Sequence, residues 1–292
     1  MNVDYLAITT KDTVGEPFDD ALKVKGYLGG EWVGSHGRNG YKRSFRHDSG
    51  AVILFDGTAD MGLHLVLPAT ALAFFAENLE LLFEDFQWKA SRIDIAADTQ
   101  DVSVKEVVEN PDWIVTRAQG RVLVHDLVTG GMTLYVGSPG KSRKLVRIYD
   151  KGVERQSHPP GQLTRIEVQL RDEYAAAAFE ALSSGVRLAE IMLRSVDFRE
   201  PVGSRKCARQ RLAWWEAIVG SGDSGFRFPS LSRAGEVLEK VQRWIEHQVA
   251  ASLVKCDMAL GRAWLHGLLF RGAARVEASF YTRLGGVCPS YG

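Results

Sequence analysis

The chain has 292 residues, 45% of them apolar, with 36 basic and 36 acidic side chains. That is enough apolar content to close a full core, and it excludes a disordered or fibrous chain. Cys207, Cys256 and Cys288 are odd in number and far apart, which argues against a disulfide framework and for a reducing compartment. The most apolar stretch, residues 65–76, is too short to cross a bilayer, and the first five residues lack a charged start and an apolar signal core, so no membrane role is expected.

In chain order, residues 3–9 read as an opening strand, and residues 40–46 and 51–57 as a hairpin. Residues 69–86 carry Leu72, Phe75, Leu79, Leu82 and Phe86 at helical spacing, which predicts a helix over the apolar side of a sheet. Ser103-Val104-Lys105-Glu106 is a capping box opening a short helix that ends before Pro111. Residues 172–182 and 186–193 are helical in pattern, as is most of the chain from about residue 204. There Trp214 and Trp215 are expected as core or subunit contacts, and Val237, Leu238, Val241, Trp244 and Ile245 form an apolar stripe. The glycine-containing stretch 219–225 is the expected flexible joint.

Three strands carry chemistry on one face and apolar residues on the other. In residues 92–98, Arg92, Asp94, Ala96 and Asp98 lie opposite Ile93, Ile95 and Ala97. Two carboxylates on one face of a rigid strand suit a hard divalent ion, Mg²⁺ or Mn²⁺, although an exposed face with Arg92 as counter-ion would show the same pattern. In residues 144–151, Arg147, Tyr149 and Lys151 lie opposite Val146 and Ile148. A phenol between two cations is expected to be biased toward the phenolate, with the same cations holding the anionic group it attacks. In residues 164–170, Arg165, Glu167 and Gln169 lie opposite Ile166, Val168 and Leu170. Such a sheet is expected to bury one face under helices and to leave the other for a site.

The order of these segments, from the opening strand through Thr133-Leu134-Tyr135-Val136-Gly137-Ser138, Arg147-Ile148-Tyr149-Asp150-Lys151 and Arg165-Ile166-Glu167, resembles the replication initiation factors of rolling-circle plasmids and filamentous phages, a family that includes some conjugative relaxases. The resemblance spans residues 3 to about 200. It implies an α+β fold, a mostly antiparallel twisted sheet covered by helices on one face. A nicking domain would occupy residues 1–198, and a helical C-terminal region, residues 199–292, would help bind origin DNA. It further implies that Tyr149 is the nicking nucleophile and that Asp94 and Glu167, joined by Asp98, hold Mg²⁺ or Mn²⁺. Arg147 and Lys151 would stabilise the developing phosphoryl charge. The implied partners are double- and single-stranded origin DNA, a host helicase and a host polymerase in a bacterial cytoplasm, with a homodimer as one option for the assembly. A relaxase with the same chemistry and a catalytically silent DNA-binding regulator are the alternatives.

None of the seven histidines stands two residues from another, so the paired-histidine metal motif of many rolling-circle initiators is missing. His64 reads as a strand histidine, with metal or phosphate contact as the alternative. Gly140-Lys141-Ser142 matches the tail of a P-loop, but Tyr135 stands where its first glycine belongs and a strand follows instead of a helix. Lys141, Arg143 and Lys144 are therefore expected on DNA phosphates. Charge is uneven along the chain: residues 1–90 hold 8 basic and 13 acidic residues, 91–198 hold 14 and 15, and 199–292 hold 14 and 8. Within the last part Arg199, Arg205, Lys206, Arg209 and Arg211 are opposed only by Glu200, a composition suited to phosphate contact or to a solvated helix face.

Overall fold

The computed structural model describes residues 1–10, 16–58, 61–116, 120–125, 130–202, 209–222, 224–229, 242–243 and 245–273. The strands are β1 (Asn2–Thr10), β2 (Trp32–His36), β3 (Arg43–His47), β4 (Val52–Phe55), β5 (Leu63–Pro68), β6 (Lys89–Thr99), β7 (Ile114–Val115), β8 (Arg121–His125), β9 (Met132–Val136), β10 (Lys144–Asp150), β11 (Thr164–Arg171) and β12 (Asp197–Phe198). The helices of the same unit are α1 (Pro17–Leu28), α2 (Ala69–Phe74), α3 (Leu79–Asp85), α4 (Val104–Glu109), α5 (Lys151–Glu154), α6 (Asp172–Ser183), α7 (Leu188–Ser195) and α8 (Ala213–Val219).

Ten strands form one antiparallel sheet in the order β2-β3-β4-β5-β1-β6-β11-β10-β9-β8. Two meanders, β2 to β5 and β8 to β11, are thus joined through β1 and β6 at the centre. The alternation in the sequence decides which face is buried. Ile93, Ile95 and Ala97 of β6, Ile166, Val168 and Leu170 of β11, and Val146 and Ile148 of β10 are at most 2% exposed. They share one cluster with Val24 of α1, Leu82 of α3, Ala175 and Ala178 of α6, Ile191 of α7 and Trp215 of α8. Each buried Val, Leu or Ile among them contributes about 1.5–3 kcal/mol. The α+β fold with an antiparallel sheet covered on one face is therefore as expected, and so is the burial of Trp215.

The helix expected over 69–86 is divided into α2 and α3. The turn between them serves α1, since Asn78 Nδ2 donates to the carbonyl of Leu28, 2.8 Å away, and satisfies a carbonyl at the helix C-terminus. The capping box at Ser103 and Glu106 is present, with both reciprocal hydrogen bonds.

A compact unit runs from Met1 to Pro229, beyond residue 198, and a second comprises Ser230–Gly292. The glycine stretch expected as a joint lies inside the first unit. Arg211 Nη1 donates to the carbonyls of Gly220, Ser221 and Gly222 at 3.4, 3.1 and 3.0 Å. The described part of the second unit includes the helices Ala250–Leu260 and Arg262–Ala273. Between the two units' helical parts, residues 224–229 are not helical, which departs from the helical pattern expected from residue 204. Val237, Leu238, Val241 and Trp244 of the expected stripe lie outside the described residues; Ile245 is exposed.

Asp197 ties the end of the first unit together. Its carboxylate accepts from Trp215 Nε1 at 2.9 Å, Arg199 Nε at 2.6 Å and Arg211 Nε at 3.3 Å, and all four side chains are largely or fully buried. Asp197→Ala would remove the buried carboxylate that Arg199, Arg211 and Trp215 share, so a loss of about 3–5 kcal/mol is expected in urea unfolding. Asp197→Asn, which keeps the shape but not the charge, should recover only part of that loss.

Candidate active site

The non-consecutive neighbours β6, β11 and β10 bring the expected residues onto one face. Opposed positions are Arg147, Glu167 and Ala96 in one row, Tyr149, Arg165 and Asp98 in the next, and Leu145, Gln169 and Asp94 on the other side. Asp150, which follows Tyr149, fixes the strand end: its two oxygens accept from the backbone N–H groups of Met132 (2.6 Å) and Gly161 (2.9 Å). The returning chain passes so close to Gly152 that a Cβ there would lie 2.6 Å from Cβ of His158. Glycine is needed for that approach.

Tyr149 donates its O–H to Glu167 Oε2 at 3.1 Å. Glu167 also accepts from Arg147 Nη2, and the same nitrogen lies 3.8 Å from Asp94 Oδ2. Asp94 accepts from Arg92 Nε and Nη2 (2.9 and 2.5 Å) and from Gln169 Nε2 (3.3 Å). Asp94 and Glu167 are 2% and 1% exposed, an arrangement tolerable for two carboxyls only because guanidinium groups pair with them. Burial, helped by the adjoining Asp94, pushes the Glu167 carboxyl above the ordinary glutamate range against the opposing pull of Arg147.

The expected bias of Tyr149 toward phenolate is overturned. Burial, with Glu167 and Glu154 beside it, holds the phenol well above its ordinary pKa, and Arg165 and Arg147 offset this only in part. The reason is the tertiary pairing of the cations. The Arg147 guanidinium, 5.9 Å from the ring centroid, is engaged with Glu167, and Lys151, 5.5 Å from it, is paired with Glu154. Lys151 also lies outside β10, opening α5.

Asp98 is engaged by a different cation from the other two carboxylates. Both its oxygens are taken by Arg165, Nε at 2.5 Å and Nη2 at 2.7 Å, while Arg165 Nη1 reaches Asp4 at 2.7 Å. Arg165 thus lies beside Tyr149 as a buried, doubly paired cation, a role that the alternation pattern alone did not single out. Among the described residues no group of three or more His, Cys, Asp or Glu side chains could hold a metal ion. Asp94 and Glu167 are a touching pair of hard oxygen donors, and Mg²⁺ is commonly held by one or two carboxylates, with water and substrate phosphate completing its shell. The donor set therefore fits such an ion, and the buried Arg147 Nε without a hydrogen-bond partner leaves a donor for an added acceptor.

His64 does not join this group. It lies on β5, separated from β11 by β1 and β6, where Thr9 Oγ1 is 2.9 Å from its Nδ1 and the Tyr41 ring stacks at 6.1 Å. Burial, with Arg38 nearby, lowers its pKa to about 4. The folded protein therefore binds this proton less readily than the unfolded chain does. His64 contributes stability that is complete above about pH 6.5 and lost as pH falls toward 4, up to about 3 kcal/mol. His64→Phe should flatten the dependence of melting temperature on pH across that window.

Of the cations expected on DNA, Lys141 is exposed, whereas Arg143 is paired with Asp172 (3.2 Å) and Glu173 (2.7 Å). Lys144 lies 5.2 Å from the Phe228 ring centroid. Arg199 and Arg211 serve Asp197, and the carbonyl of Arg209 accepts from Arg199 Nη1 at 2.6 Å. Arg205 and Lys206 lie outside the described residues.

This sheet, with its helices on one face and an ionic site on the other, has the fold of a class of replication proteins. The solved structure of a rolling circle replication initiator protein from Geobacillus stearothermophilus matches with a TM-score of 0.59 and 23% sequence identity, over 75% of this chain and 94% of that one. The family model described as replication initiation factor matches residues 88–269, more than half of the chain. The chain belongs to that family, and its general role is the initiation of DNA replication. No curated protein matches the chain. Among the described residues no helix is long and apolar enough to cross a membrane.

Proposed function

We propose that the protein starts rolling-circle replication by nicking one strand of its origin through transesterification to Tyr149. The observation that carries this reading is the Tyr149 O–H donated to Glu167, beside Asp94. The phenolic proton passes to Oε2 of Glu167 as the phenolic oxygen bonds to phosphorus. The bond from phosphorus to the 3′-oxygen breaks, and that oxygen takes up a proton from water to leave as a free 3′-hydroxyl, while Glu167 gives its proton back to water. The products are a 5′-phosphotyrosyl protein and a primer end for a host polymerase, and a host helicase would open the duplex ahead of it. Asp94 and Glu167 would hold Mg²⁺ or Mn²⁺, which when bound supplies positive charge to the scissile phosphate. Arg147 stabilises the charge that develops on the phosphoryl oxygens, and Lys151 adds to it when released from Glu154. Asp98 acts on the site through Arg165.

The test is incubation with supercoiled DNA carrying the protein's own origin, followed by detection of protein on the 5′ end. A protease-sensitive adduct is expected. A free 5′ end would instead indicate attack by water, and tight binding without cleavage a silent regulator. A relaxase would act in the same way on a transfer origin.

Arg205, Lys206 and Arg209 are proposed to bind duplex phosphates. Replacing all three with alanine should lower the slope of log affinity against log salt by roughly 0.9 for each phosphate no longer neutralised, while cleavage of a single-stranded oligonucleotide bearing the nick site survives. An unchanged slope would leave the cluster without a role in DNA binding.

A further inference from the structure

The polar face of the sheet continues past the carboxylate pair onto β1. Tyr5 is directly opposed to Asp94, so its ring stands on the same face one strand further from Tyr149. The Arg92 guanidinium lies over that ring, 4.3 Å from its centroid, with its edge held by both oxygens of Asp94. Tyr5 is in turn braced by a second apolar cluster of Ala7, Tyr41, Val52, Leu54 and Val66. Ring and guanidinium are therefore fixed before any ligand arrives. The Arg92 side chain remains 29% exposed, although the carboxylate it holds is 3% exposed. That exposure leaves part of a planar cation, backed by an aromatic ring and anchored at one edge, accessible to a ligand, and nucleobases stack on guanidinium planes of this kind.

We propose that Tyr5 and Arg92 form a stacking platform for an unpaired nucleobase of the DNA strand that crosses the site. The choice of single-stranded DNA as ligand rests on the nicking reaction proposed above. The strands bearing Tyr149 and Tyr5 are three sheet spacings apart, roughly 14 Å, and Tyr5 stands level with Asp94, four residues along β6 from Asp98 in the row of Tyr149, so the two positions are on the order of 20 Å apart. A base stacked on Arg92 would thus belong to a nucleotide a few positions from the scissile phosphate, and the platform would set the register in which that phosphate meets Tyr149. Arg92 touches Asp94 as well, so the base and the carboxylate pair are positioned by one side chain.

The experiment uses the full chain and a short oligothymidylate carrying one 2-aminopurine, with no nick site, so that its outcome does not depend on cleavage. Wild-type protein is expected to quench the 2-aminopurine. Tyr5→Leu and Arg92→Lys, which retains charge but loses the plane, should each weaken binding about tenfold and abolish the quenching. Tyr5→Phe should restore it. In the unaltered protein, irradiation of the same oligothymidylate carrying 5-iodouracil should give a cross-link within β1 or β6, the strands that carry the platform, a readout that needs no variant to fold. The platform is overturned by an absence of quenching in the wild type, by equal quenching and affinity in variants of wild-type melting temperature, or by cross-links confined to other segments. If quenching behaves as expected while no origin adduct ever forms, the platform stands and the nicking reaction falls.

Discussion

Tyr149→Phe is expected to bind origin DNA with wild-type affinity and to lose nicking by a factor of at least ~10⁴, with no covalent adduct. The variant keeps the ring between Arg147 and Lys151 and removes only the oxygen that donates to Glu167. Folding and DNA affinity should therefore be spared. Tyr135 is the competing nucleophile, opposed to Arg147 on β9. It stands one strand further from Glu167 than Tyr149 does, because β10 lies between β9 and β11. Tyr135→Phe should accordingly retain the adduct. The measurement is gel detection of protein joined to labelled DNA, and an adduct in Tyr149→Phe would overturn the assignment.

Asp94→Asn and Glu167→Gln are expected to lower nicking at least about 100-fold and to raise the Mg²⁺ or Mn²⁺ needed for what remains. Both substitutions preserve shape but turn one accepting oxygen into a donating amide beside a guanidinium, so a folded but less stable protein is expected, and nicking is compared well below its melting temperature. Asp98→Asn should cost less, because its partner is Arg165. The pH profile carries a second sign. Glu167 must be unprotonated to accept the phenolic proton, and its carboxyl is held above the ordinary glutamate range. Activity should therefore fall with decreasing pH earlier than an exposed glutamate would dictate, and the acid limb should change in Glu167→Gln. Cleavage at full rate in excess chelator would show that the two carboxylates have no metal to hold.

The period-two alternation in 92–98, 144–150 and 164–170 by itself determined which residues face the core, because a strand residue has only two sides to choose between. It also put Asp94, Glu167, Arg147 and Tyr149 on polar faces, and the order of the motifs indicated the family. The capping box at Ser103 was equally legible, being a contact between residues three apart. What only the tertiary structure decided is which charges meet. The insertion of β11 between β6 and β10 joins residues far apart in sequence and brings Glu167 to Asp94 and Tyr149. The same register gives Asp98 to Arg165. Alternation shows that Tyr149 lies between two cations but not that Glu167 and Glu154 have already engaged them, and so it misjudged the direction in which the phenol is shifted. Nor could a local cluster of positive charge reveal that Arg199 and Arg211 converge on Asp197. Coulomb energies and hydrogen bonds depend on separations of a few ångströms and on burial, and those are properties of the folded chain.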